Sequence, residues 1–240
     1  MPLADALPDE ATAGYQGRQM AILGHRTKTE HLKWLRAQVD PSDTEGDPPR
    51  LHLLARCLGI APPTFAQPHS MLGLIRLAAR ANDTDAYGSA GEARHCRRSG
   101  LLTQKRGAFV CHECTKSDIN AHAWAYYHRV HHIVGIDWCP IHGCPLLKIV
   151  SREAFSVQPQ HGLRTGASLD EAIPCASAAG NPLVQRYLAV SQLLLHPASP
   201  APCGPLNRAI QDQLDLRTSQ EGESRDTRVR EALLDELPIT

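Results

Sequence analysis

Net charge is missing from this chain as a whole. Its 25 Lys and Arg residues stand against 25 Asp and Glu, so the overall field singles out neither nucleic acid nor a membrane surface. No apolar run approaches the roughly 20 residues of a membrane span. The opening residues, Met1 to Gly14, show no basic region followed by an apolar stretch, and Asp5, Asp9 and Glu10 fall where that stretch would lie. No leader peptide and no membrane partner are therefore expected. Eight cysteines in 240 residues are too few for a disulfide scaffold, and in a reducing compartment clustered ones point to metal. Lysine is scarce as well, at five of the 25 basic residues, a bias that follows the Ala- and Arg-rich composition of the whole chain. No internal repeat is present.

What is there is uneven. Residues 51–150 carry 11 basic and 6 acidic side chains together with 9 of the 13 histidines, so any positive potential belongs to the middle of the chain. The flanks read as helical. Asp9 to Val39 has a broken apolar stripe behind an acidic start, Leu51, Leu54 and Leu58 recur at helical spacing before Gly59 and Pro62-Pro63, and Met71 to Ala81 repeats the pattern. Short helices around Leu58-Gly-Ile-Ala61 permit a helix-turn-helix unit over residues 51–81, and equally a plain bundle. Asn181-Pro182 marks a helix start, followed by further apolar repeats at Leu206, Ile210 and Leu214 and at Val229, Leu233 and Leu237. The expectation is a mainly α protein with a small zinc-ribbon (α+β) module. It divides into an N-terminal helical region (1–91), the zinc module (92–150) and a C-terminal linker and helical region (151–240).

Four of the cysteines fall within 34 residues. Cys111-His-Glu-Cys114 is followed, after 24 residues, by Cys139-Pro-Ile-His142. Two ligands separated by two residues form a knuckle that presents both to one point, and two knuckles complete a tetrahedron. Cys111, Cys114, Cys139 and His142 are thus the candidate Zn²⁺ ligands, a closed set with no position for substrate. His112 and Cys144 lie close enough to compete, but Cys144, directly after Gly143, is harder to aim at the same ion and is set aside. Between the knuckles, Trp124, Tyr126, Tyr127 and His131 are expected to form the small core a zinc module needs, while His128, Arg129 and His132 stay open to other roles. Arg94, Arg97, Arg98, Lys105 and Arg106 precede the first knuckle and, with Arg129, are the candidate DNA contacts. The pair His131-His132 also echoes metal-dependent HNH nucleases, although the Asn such sites require is absent from the motif and the next one is Asn181.

The whole pattern resembles the TniQ family of bacterial transposition proteins. The likeness rests on Cys111-x2-Cys114, then Tyr127-His128-Arg129-x-His131, then Cys139-Pro140-x-His142-Gly143-x-Pro145-Leu146. It extends to the opening Pro8-x-Glu10 with Tyr15 and Arg18, and to Asn181 through Leu195. His112 stands where the family has proline, Tyr127 where it has tryptophan, and a second knuckle is reduced to Pro174-Cys175-Ala-Ser-Ala178. The resemblance implies a non-enzymatic, cytoplasmic bacterial protein that selects transposition targets. Its partners would be DNA or an RNA-guided targeting complex on one side, and an AAA+ ATPase regulator with its transposase on the other. The 94 residues after Leu146 leave little room for a DNA-reading domain, which favours an adaptor. The rival readings are a zinc-dependent transcriptional regulator and the metal nuclease.

Overall fold

The computed structural model describes residues 3–40, 46–79, 85–151, 153–165, 167–168, 179–205 and 208. The stretch read as one helical region near the N-terminus is two helices. α1 (Thr12–Leu23) stops at Gly24, whose φ of 72° is the left-handed conformation a residue without Cβ adopts at little cost. α2 (Lys28–Gln38) starts afresh where the Thr27 hydroxyl accepts the Glu30 N–H. α3 (Arg50–Cys57) and α4 (Pro62–His69) follow, joined by the four residues Leu58 to Ala61.

The next helix is much shorter than its apolar spacing predicts. α5 holds only Leu72–Ile75, and the chain then extends into β1 (Ala78–Ala79), which pairs in parallel with β5 (Ala201–Pro202). Two side-chain contacts hold it out of the helix. The Tyr87 hydroxyl donates to the Arg76 carbonyl at 2.6 Å, and the Arg76 guanidinium pairs with the buried Glu92 carboxylate. Tertiary partners here override local propensity.

The middle of the chain runs through α6 (Ala93–Ser99), β2 (Ala108–Val110), α7 (His112–His122), a 3-10 turn at Arg129–His132 and β3 (Leu147–Ile149). A second 3-10 turn at Ala154–Ser156 leads to α8 (Pro159–Thr165), β4 (Ala167–Ser168) and α9 (Pro182–Leu193). β3 is central in its sheet, antiparallel to β2 (Ala108↔Ile149) and to β4 (Lys148↔Ser168). α9 begins where expected, its Asn181 side chain accepting the Leu183 N–H ahead of Pro182. The molecule is therefore mainly helical, with small sheets and a Cys/His module. Pro174-Cys175 and the apolar repeats from Leu206 onward lie outside the described residues. Among the described residues no helix is long and apolar enough to cross a membrane.

Apolar side chains gather in neighbouring clusters. Tyr15, Leu35, Leu51, Leu54, Phe65 and Leu72 centre the N-terminal helices; Val110, Tyr127 and Ile149 sit over β2 and β3; Met71, Ile133, Ile136 and Trp138 meet Leu188 and Leu195. Contacts cross the boundaries suggested by composition. The Ala11 N–H donates to the Tyr127 carbonyl at 2.7 Å, Glu10 bridges to His128, and α1 lies on the Ala154–Ser156 turn.

Candidate metal centre

The first knuckle forms because β2 runs directly into α7. Cys111 is the N-cap of that helix, and its sulfur accepts the Cys114 N–H at 3.4 Å. A thiolate at a helix N-terminus is favoured by the unpaired N–H groups and the dipole there. The second knuckle is a turn closed by the Trp138–Pro145 bridge and by the Cys139 N–H donating to the Cys144 carbonyl at 2.7 Å. Gly143, with φ of 67°, lets the chain reverse between them.

The two knuckles converge. The donor atoms of Cys111, Cys114, Cys139 and His142 all lie within 4.8 Å of one another, with the three cysteines buried and His142 exposed. Individual edges are 3.5 Å from Cys111 Sγ to His142 Nδ1, 3.3 Å from Cys114 Sγ, 3.6 Å from Cys139 Sγ, and 3.6 Å between the Cys114 and Cys139 sulfurs. Zn–S and Zn–N bonds of ordinary length give tetrahedral edges of about 3.8 Å (S···S) and about 3.5 Å (S···N). The donor set and its spacing thus fit a four-coordinate ion held by Cys111, Cys114, Cys139 and His142. With no ion among them, the donors compete for protons. Hydrogen bonds from Cys111 and Cys114 push the Cys139 thiol down, while the neighbouring Cys111 and Cys139 push the Cys114 thiol up, and the Cys139 sulfur raises His142. Three sulfurs this close cannot all be thiolates without a cation among them.

Cys144, set aside on spacing, is close after all: its sulfur is 3.3 Å from that of Cys111. His112, the other competitor, is turned to Glu113 at 3.2 Å and is not among the converging donors. His131 packs behind the cluster, its Nε2 3.5 Å from the Cys139 sulfur and 3.7 Å from that of Cys114. Full burial drives its pKa down to about 3, so the ring is neutral, and its Nε2 backs the sulfurs of the ligand set.

The rest of the segment before the second knuckle is a buried polar scaffold. His128 Nε2 donates to Asp118 at 3.0 Å, and its ring stacks on Tyr126 with centroids 4.2 Å apart. His132 gives Nδ1–H to the His128 carbonyl at 2.9 Å and accepts the Phe109 N–H on Nε2 at 3.1 Å. Tyr127 OH reaches the Ala154 and Val157 carbonyls. Arg129, only 1% exposed, pairs with Asp9 at 2.7 Å and donates from one terminal nitrogen to the Gln67, Ser70 and Leu195 carbonyls, each at 2.9 Å. The opening motif is a scaffold too: Arg18 holds Glu10 at 2.7 Å and the Asp5 carbonyl, and Tyr15 OH donates to Ala4.

The candidate DNA contacts divide accordingly. Arg94, Arg97, Arg98 and Arg106 are exposed. Arg129 is inside, spent on carbonyls. Lys105 is inside as well, its Nζ on the Asp137 carboxylate (2.6 Å), on the Ile136 carbonyl (2.9 Å) and over the Phe109 ring (3.7 Å). Neither presents a charge at the surface, a correction to the sequence expectation. Both were counted as contacts because a basic residue in a basic run is outward by default, and nothing in the run reports a buried carboxylate elsewhere in the chain.

A family model described as TniQ matches residues 3–146. No curated protein matches the chain.

Proposed function

The chain belongs to the TniQ family of transposition-associated proteins, and from that premise we propose that it is a non-enzymatic adaptor that joins a target to the transposition machinery. One face would engage DNA or an RNA-guided targeting complex, and another would recruit an AAA+ ATPase regulator that brings the transposase. The observation that carries this reading is the closed Cys3His cluster. Zn²⁺, when bound by Cys111, Cys114, Cys139 and His142, has all four positions filled by protein and supplies rigidity rather than a reactive water. The residues around it do the same work: Arg129, His128 and His132 hold backbone and carboxylate groups, and His131 is spent on sulfur.

The rival readings find less support. A nuclease would need His131 or His132 facing substrate, and both are buried. A regulator reading DNA through α3 and α4 would use α4 in the groove, yet that helix carries neither Lys nor Arg. The exposed arginines of α6 are the better candidates for phosphate contact.

The reading is tested by mixing the purified chain with an AAA+ transposition regulator, with and without duplex DNA. A complex that forms with the ATPase and directs insertion to the bound target is the expected result. Metal-dependent cleavage of DNA by the chain alone, lost in His131→Ala, would replace the adaptor with the nuclease.

A further inference from the structure

Away from the metal centre, a cleft of about 370 Å³ opens between α1, the start of α3 and the Leu101–Gly107 segment. Its size is that of a small-ligand site. Among the described residues its lining includes the cations Lys28, Arg50, Lys105 and Arg106 and not one carboxylate, in a chain with no net charge. Lys105 is committed to Asp137 and Lys28 pairs with Glu153, but Arg50 and Arg106 are exposed and make no ion pair with any described residue. Met20 and Leu102 give it an apolar wall.

A second observation points independently to a ligand. Gln16, on α1, lines the same cleft while only 3% exposed, and its Nε2 is buried without a hydrogen-bond partner among the described residues. A buried donor left unpaired costs about 1–3 kcal/mol, so such groups rarely persist without a partner. Here the missing partner is an acceptor, and the neighbouring free charges are both positive.

We propose that this cleft binds the phosphate of a nucleotide unit, with Arg50 and Arg106 on the phosphate oxygens, Gln16 donating from the floor, and Met20 and Leu102 against the sugar and base. Guanidinium forks suit phosphate oxygens, and the two arginines without an ion pair among the described residues leave the cleft attractive to an anion. The site stands on its own residues, so DNA engagement through α6 neither requires it nor replaces it.

The probes are thymidine monophosphate, a short single-stranded thymidine oligonucleotide and its duplex, titrated into the full chain at several salt concentrations. Arg50→Ala and Arg106→Ala each weaken the bound probe about tenfold, and for the oligonucleotides each lowers the salt slope by about one. Lys33→Ala, an exposed cation outside the cleft, removes the same charge and leaves affinity nearly unchanged. Gln16→Leu weakens binding as well, provided its melting temperature is retained. Binding of the monophosphate identifies a free nucleotide as sufficient, and binding of oligonucleotide alone identifies a polymer. Either supports the site. Equal losses in Lys33→Ala and the two arginine variants, or no loss in the latter, overturn it. Oligonucleotide binding lost in Arg94→Ala and Arg98→Ala but kept in Arg50→Ala and Arg106→Ala overturns the cleft while leaving the DNA-engaging adaptor standing.

Discussion

At the scale of single residues, two side chains illustrate opposite uses of the same sequence motif. Cys111 contributes a sulfur to a Cys/His cluster that could hold a metal ion. Binding of structural zinc, on the order of 10–16 kcal/mol in small modules, is folding energy for the segment that holds it. Wild-type chain is expected to carry about one zinc by metal analysis, and Cys111→Ser to lose it together with about 10 °C or more of melting temperature. Nearby Cys144 is the nearest substitute sulfur, so retention of zinc in that variant would reveal it as the replacement ligand. Arg129 needs no ion. Its guanidinium fork satisfies three carbonyls from two separate parts of the chain and one carboxylate, and a lysine cannot reproduce that fork. Arg129→Lys is expected to cost about 3 kcal/mol in urea denaturation, against less than about 0.5 kcal/mol for exposed Arg98→Ala. A loss as small as that of Arg98→Ala would mean that Arg129 reaches solvent in the native state.

Among the secondary elements, α1 is decided by what touches it rather than by its own pattern. A Cβ added at Gly17 would lie 1.8 Å from the Phe155 carbonyl oxygen, so the helix can rest on the Ala154–Ser156 turn only because that side chain is absent. Gly17→Ala ordinarily favours a helix by about 1 kcal/mol. Here it is expected to destabilise instead, by about 2 kcal/mol or more, as overpacking forces the turn away; a stabilised variant in thermal melting would show that the turn yields freely. This is also where sequence reading reaches its limit. The knuckles were legible because ligand spacing is local: Cys111 to Cys114 and Cys139 to His142 each span a single turn. The start of α9 was legible through Asn181 and the proline after it, and α3 through the helical spacing of Leu51, Leu54 and Leu58. The shortening of α5 was not, because Tyr87, Glu92 and β5 act on it from later in the chain. For the same reason Lys105 and Arg129 looked like surface charges, since Asp137 and Asp9, which hold them inside, lie 32 and 120 residues away.

On the scale of the whole molecule, the family match and the folded unit do not end at the same place. The match covers residues 3–146, whereas the packing continues well beyond it. The Ala154–Ser156 turn supports α1, Ala167–Ser168 pairs with β3, and Leu188 and Leu195 close over Met71, Ile133, Ile136 and Trp138. The Leu195 carbonyl is also one of the three that Arg129 occupies. A chain ended after residue 150 would keep every metal donor and yet uncover these apolar side chains and leave part of the Arg129 fork unpaired. It is expected to bind zinc through its knuckles while losing the sharp, cooperative urea transition and the dispersed amide spectrum of the full chain. A truncated chain with the midpoint and steepness of the full one would mean that α9 and its neighbours only decorate a self-sufficient domain. With loss of the transition, the later segment is part of the core on which the Cys/His module, the N-terminal helices and the cleft beside Gln16 are mounted, and a change in any of them is felt by all three.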